Sequence, residues 1–195
     1  MFADPIAVPI HCEAGRPVLA TMKAGLYARE TMERLPAFDS QGEALGQTII
    51  GRLKIPPPEG EAVAIPHPVD YTFADGIALA GYGIEHLPER ELRLTLYWWA
   101  QGHPTRDYTV FVHLVDEEGT IVAQGDGPPL NGDYPTGAWA PGELVVDRHT
   151  VSLGAGTEHL RWRVGLYDLA TMGRLPVYGP DGLRLRGDQM ELEME

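Results

Sequence analysis

The sequence predicts an all-β protein: an antiparallel β-sandwich of immunoglobulin-like or jelly-roll type, with a partial repeat at its N-terminus. Three observations lead to this prediction. Several segments alternate apolar and polar side chains with the period of two that a β-strand requires. Turn signals recur about every 8–12 residues, and no long stretch keeps a helical period. A segment of eighteen residues near the N-terminus also recurs near the C-terminus.

The two clearest strands are ELRLTLYWWA and DYTVFVHLVD. The first alternates strictly, whereas the second is apolar on both faces and is predicted to be a central strand. The DEEG that follows predicts a hairpin into TIVAQGD. We also expect strands near residues 77–84, 144–153, 159–167, 175–178 and 183–194, with Pro176 at a sheet edge. The predicted core contains Leu94, Leu96, Trp98, Val110, Val112, Leu114 and Leu166.

The repeat aligns GLYARETMERLPAFDSQG (residues 25–42) with GLYDLATMGRLPVYGPDG (residues 165–182), 140 positions apart and without gaps. Nine of the eighteen positions are identical, where ordinary residue usage gives about one. We therefore interpret residues 1–56 as the C-terminal third of a unit and residues 57–195 as a complete unit. A stiff Pro-rich segment, PPPEG, joins the two.

A third of a sandwich leaves an apolar face and an unpaired strand edge in water. We expect its strands near residues 6–11, 18–27 and 48–55. They should either dock on the complete unit, extending one of its sheets, or pair with the same segment of a second molecule as a homodimer.

The composition of the chain argues against several classes of binding partner. A net charge of −13 argues against nucleic acid and against anionic membrane surfaces. No run of 18 apolar residues could span a membrane, and the N-terminus lacks the pattern of a signal peptide. Cys12 is the one cysteine, so no internal disulfide can form. The chain reads as cytoplasmic, or as a piece cut from something longer.

No catalytic motif is present. The sequence contains no G-x-S-x-G, HExxH, CxxC, EF-hand or P-loop pattern, so we expect no catalytic residues, metal or cofactor. A hydrolase or metal enzyme with an unfamiliar site remains the third alternative. His113, in the middle of a predicted strand, is either a ligand-binding or proton-relay residue or a core histidine with a hydrogen-bonded neighbour.

The long loop GDGPPLNGDYPTGAWAPGE, residues 125–143, is the candidate binding site. Its Tyr134 and Trp139 could stack on a sugar ring. Its Asp126, Asn131 and Asp133 could accept hydrogen bonds from sugar hydroxyls or bind Ca²⁺. The alternative is a structural loop whose tryptophan plugs the end of the sandwich.

The blocks DYTVFVHLVDEEGTIVAQGDGPPLNGDYPTGAWAPGELVVDRHTVSL and RVGLYDLATMGRLPV are similar to an uncharacterised extracytoplasmic C-terminal module of membrane proteins. Those are Chloroflexi-type family 39 glycosyltransferases, which resemble dolichyl-phosphate-mannose-protein mannosyltransferases. The resemblance covers about residues 50–185 and implies a β-sandwich accessory module facing outside. The function expected is thus a non-catalytic extracytoplasmic module that binds glycan or supports a membrane glycosyltransferase. The alternative is an interaction or scaffold domain without a small ligand.

Overall fold

The structure, a computed structural model, describes residues 17–46, 48–57, 63–154 and 159–194. The described part contains strands and short 3-10 turns, and no α-helix. The all-β prediction is confirmed. The strands are β1 (Val18–Lys23), β2 (Ala37–Phe38), β3 (Ala44–Leu45), β4 (Ile49–Ile55), β5 (His67–Phe73), β6 (Ile77–Leu87), β7 (Glu91–Ala100), β8 (Thr109–Val115), β9 (Ile121–Gln124), β10 (Leu144–Ser152), β11 (Arg161–Asp168), β12 (Gly173–Arg174), β13 (Val177–Tyr178) and β14 (Met190–Glu193).

Two antiparallel five-stranded sheets form the complete unit. The first sheet has the order β10-β7-β6-β5-β13. The second has the order β12-β11-β8-β9, with β14 also paired to β11. In the second sheet, β8 pairs with both β11 and β9, so its predicted central position is confirmed. The DEEG hairpin is confirmed as well, because β9 follows β8 directly and pairs with it.

The core lies between the inward faces of these two sheets. All seven predicted core residues are fully buried, at 0% exposure. Trp98 from the first sheet and Trp162 from the second sheet are its largest side chains, also at 0%. Alternation along β7 and β8 produces this core, because every second side chain of a strand points to the same face.

The structure differs from the predicted strands at two places. β5 was not predicted; its sequence HPVDYTF carries Pro68 and Asp70, which interrupt an apolar pattern. The strand predicted over residues 183–194 is limited to β14, because Gly182 and Gly187 adopt positive φ angles that suit turns. The edge position predicted for the Pro176 segment is confirmed, since β13 ends the first sheet.

The partial repeat does not extend either sheet of the complete unit. Instead β1 and β4 pair with each other as a separate two-stranded sheet, and β2 pairs with β3. The strand predicted near residues 6–11 lies outside the described residues.

Both copies of the repeat have the same backbone geometry. Leu35 N–H donates to the Leu26 carbonyl at 2.8 Å, and the equivalent bond from Leu175 to Leu166 is also 2.8 Å. Met32 has a φ of 56°, and its equivalent Met172 has a φ of 57°. The bridge between Tyr27 and Arg34 corresponds to the pair of Tyr167 with Arg174. The repeated sequence therefore folds the same way twice.

The register of β4 differs between the two copies. In the complete unit Trp162 is opposite Leu192, so exact correspondence would place Met22 opposite Arg52. Instead Met22 is opposite Gly51, a shift of one residue. A shift of one moves every side chain of a strand to the other face. As a result Leu53 shares a face with Met22, and Arg52 points the other way.

Candidate functional site

The two aromatic side chains of the predicted site are buried inside the loop. Tyr134 is 0% exposed and Trp139 is 1% exposed. The Trp139 indole N–H donates to the Tyr134 carbonyl at 3.1 Å, and the Tyr134 hydroxyl donates to Glu143 at 2.7 Å. Burial and this bond to Glu143 raise the pKa of Tyr134. In this conformation neither ring presents a face to solvent, so Trp139 acts as the plug that was the structural alternative.

The three polar residues predicted to assist sugar or calcium binding have separate surroundings. Asp126 accepts the Val112 N–H at 2.9 Å and lies 3.3 Å from His113 Nε2. Asn131 is exposed, with a φ of 55°. Asp133 is exposed, and its carbonyl accepts a backbone hydrogen bond. His113 is thus a half-buried histidine with a carboxylate neighbour.

Sequence reasoning missed a buried ionic pair that holds the start of the loop. Asp147 and His149 lie on the inward face of β10, at 1% and 7% exposure, and their side chains are 2.7 Å apart. The other ring nitrogen of His149 is 2.7 Å from the Gly125 carbonyl oxygen. Asp147 in turn accepts the Leu130 N–H at 2.9 Å. The pair therefore fixes both Gly125 and Leu130 to the first sheet.

The surroundings of His149 require its charged form. Both ring nitrogens face groups that can only accept hydrogen bonds, a carbonyl oxygen and a carboxylate, so both must donate. Burial alone lowers the pKa of His149, but the hydrogen bond and the charge of Asp147 outweigh burial. The pKa of His149 is therefore raised above its ordinary value.

We expect the protein to lose stability as the pH rises through the raised pKa of His149. A group with a raised folded-state pKa contributes its full stability below its unfolded pKa, about 6.5 for histidine. That contribution disappears once the pH exceeds the folded-state pKa. Urea unfolding at pH values between about 6 and about 9 measures this loss as a fall in the free energy of unfolding. In His149→Gln the decline over this interval should be absent; an unchanged decline would contradict the assignment.

Truncating the plug should destabilise the fold strongly. Trp139→Ala removes a fully buried indole, for which we expect a loss of about 3–5 kcal/mol in the free energy of unfolding. Trp99, 40% exposed on β7, provides the matched control; Trp99→Ala should cost about 1 kcal/mol or less. Chemical denaturation compares the two. Equal losses would show that the loop is not held by its tryptophan.

The partial repeat docks on this same loop. Leu19 N–H donates to the Asp133 carbonyl at 2.7 Å. The Lys54 ammonium is 2.9 Å from Glu143 and lies over the Tyr134 ring, 5.6 Å from its centroid. Docking on the complete unit was one of the two alternatives expected, but the contact is with the loop and not with a sheet edge. The carboxylate of Glu143 therefore holds both the loop and the partial repeat.

A cleft of about 510 Å³ lies where the partial repeat meets the complete unit. Its charged lining consists of Arg52, Lys54, Arg106 and Asp107. Arg106 is paired with Asp168, and Lys54 with Glu143. Three cations thus border one cleft of a protein whose net charge is −13.

The opposite side of the partial repeat exposes positions that the complete unit buries. Leu26 is 72% exposed, whereas the equivalent Leu166 is 0% exposed. Leu35 is 47% exposed and its equivalent Leu175 is 8% exposed. Met22 is 41% exposed, while Trp162 at the same place is 0% exposed. We call Met22, Leu26, Leu35 and Leu53 the free face.

An apolar groove of about 380 Å³ borders the free face. Its lining includes Ala24, Leu26, Leu35 and Ala37. The four equivalent residues of the complete unit all lie in its core: Val164, Leu166, Leu175 and Val177. The groove is therefore one half of a sandwich core, and among the described residues no second half covers it.

Comparison with protein-family models, with curated proteins and with solved structures found no match. Among the described residues, no helix is long and apolar enough to cross a membrane. In the same residues, no group of three or more His, Cys, Asp or Glu side chains is arranged to hold a metal ion.

Proposed function

We propose that the chain is a β-sandwich interaction module that binds another polypeptide through the free face. The observation that carries the proposal is the comparison of the two copies: the same residues, in the same backbone geometry, are core in one copy and exposed in the other. Exposed apolar patches of this kind mark interaction surfaces. The partial repeat, which carries the free face, is held in place by its contacts with the loop that Trp139 plugs.

Charge supports an interface at the partial repeat. Residues 1–56 contain six acidic and six basic side chains, so the net charge of −13 lies on the rest of the chain. A neutral surface can approach a second copy with less repulsion than two acidic surfaces would cause. In a sample of the purified protein, this interaction would take the form of a homodimer in which the two free faces contact each other.

Two substitutions of equal exposure test the interface. Leu26 and Met32 are both 72% exposed, but their equivalents differ: Leu166 is 0% exposed, and Met172 is 68% exposed. In sedimentation velocity we expect concentration-dependent dimers for the unmodified chain. Leu26→Asp should give monomers, since a carboxylate cannot enter a dry interface, and Met32→Asp should leave the dimer intact. Monomers of the unmodified chain at every concentration would count against the homodimer, and equal effects of both substitutions would count against the free face.

Glycan binding is the second candidate, and the cleft is the observation that favours it. Arg52, Thr105 and Asp107 there can hydrogen-bond sugar hydroxyls, and the excess of cations favours an acidic sugar. On the resemblance to family 39 proteins, this second proposal includes a location outside the cytoplasm, beside a membrane glycosyltransferase.

Calorimetric titration with an acidic oligosaccharide tests this second candidate. We expect weak binding, with a dissociation constant on the order of 1 mM, because an open cleft makes few contacts. Arg52→Ala should abolish it. Lys23→Ala is the matched control, since Lys23 is exposed on the same small sheet but does not line the cleft. Binding that is lost equally in both variants would place the sugar elsewhere.

A further inference from the structure

The complete unit shows what kind of strand covers the positions that the free face exposes. There β11 pairs with β8, in a register that places Leu166 opposite Val110, Val164 opposite Val112 and Gly165 opposite Phe111. Val110 and Val112 are fully buried beside their partners. In the partial repeat the counterpart of β11 is the segment of residues 21–28, of which residues 21–23 belong to β1. Among the described residues this segment pairs with β4 and, through Tyr27, with Arg34. The edge that corresponds to the β8 side of β11 has no described strand beside it.

A second feature of the complete unit concerns the aromatic ring of Phe111. A Cβ added at Gly165 would clash with this ring, so the ring packs where only glycine leaves room. The Arg174 guanidinium lies over the same ring, 4.4 Å from its centroid, a favourable cation–π distance. Glycine and arginine together form a cradle for one aromatic side chain.

The partial repeat has the two residues of this cradle, with the arginine side chain folded into the position of the ring. Gly25 and Arg34 are the equivalents of Gly165 and Arg174, and both are identical in type. The Arg34 guanidinium lies over Gly25: a Cβ added to this glycine would be 3.2 Å from Arg34 Nε. The side chain thus occupies the space that a phenyl ring fills in the complete unit. Five of the nine identities fall on positions that contact Phe111 or enter the core there: Gly25, Leu26, Tyr27, Arg34 and Leu35.

We propose that the free face binds an extended strand of another polypeptide with the pattern of β8: alternating aliphatic residues toward the groove and an aromatic residue opposite Gly25. The strand adds along residues 21–28, on the edge that has no described strand beside it, in antiparallel direction. Its backbone groups supply affinity and its side chains supply specificity. Its aliphatic residues cover Leu26 and Ala24. Its ring takes the place beside Gly25 that the Arg34 side chain fills in the structure. Arg34 moves to lie over the ring, as Arg174 lies over Phe111.

This inference rests on the proposed function, because it names the partner of the same face. The test uses the full chain and a fluorescent peptide with the sequence DYTVFVHLVD, residues 107–116. We expect saturable binding by fluorescence anisotropy and displacement of any homodimer by excess peptide. A Phe111→Ala peptide should bind at least about tenfold more weakly. In the chain, Leu26→Asp should abolish binding and Met32→Asp should leave it unchanged.

A double-mutant cycle isolates the cradle. Arg34→Ala should weaken the unmodified peptide but have little further effect on the Phe111→Ala peptide, because both changes remove one contact. The inference is overturned if the unmodified chain does not bind the peptide, if the Leu26→Asp chain binds it equally well, or if both peptides bind alike. A dimer sensitive to Leu26→Asp together with no peptide binding would overturn this inference and leave the proposed function standing. If the unmodified chain shows neither the dimer nor peptide binding, both the proposed function and this inference are overturned.

Discussion

The pairing of β11 with β8 is the contact on which the rest of the complete unit depends. It brings Leu166 and Val164 beneath the first sheet and seats the Phe111 ring between Gly165 and Arg174. The partial repeat provides the same local sequence with no described strand in the β8 position, and there the equivalent side chains lie exposed. Local sequence therefore determines the turns and hydrogen bonds of this segment, while burial is decided by a strand far away along the chain.

Much of the fold could be predicted because the apolar residues of the two clearest strands recur with the period of a β-strand. β7 and β8 carry apolar residues at every second position, and their registers follow once one face is buried. β5 could not be predicted, because Pro68 and Asp70 break its pattern and its place in the sheet comes from pairing with β6 and β13. Irregular turns near Gly182 and Gly187 likewise shortened the last strand, for reasons of backbone geometry that hydropathy does not record.

The candidate site was harder to predict than the fold. An aromatic residue in a Gly- and Pro-rich loop has the same appearance in sequence whether it points to solvent or into the core. For Trp139 the deciding factors are a backbone carbonyl for its N–H and space beneath the loop, which are tertiary facts. A signal did exist for Asp147 and His149: the two ionisable residues lie between Val145 and Val151 on one face of the same strand. Polar residues at core positions require partners, so this pattern could have indicated a buried pair.

The uneven distribution of charge gives the molecule a neutral end and an acidic end. When two such chains meet through their neutral ends, their acidic units still repel each other across the interface. Added salt shortens the range of this repulsion, to about 10 Å at 0.1 M ionic strength, while apolar contacts at the free face do not weaken. The proposed association through this end of the molecule should therefore strengthen as ionic strength rises, which is the reverse of the behaviour of complexes held by opposite charges.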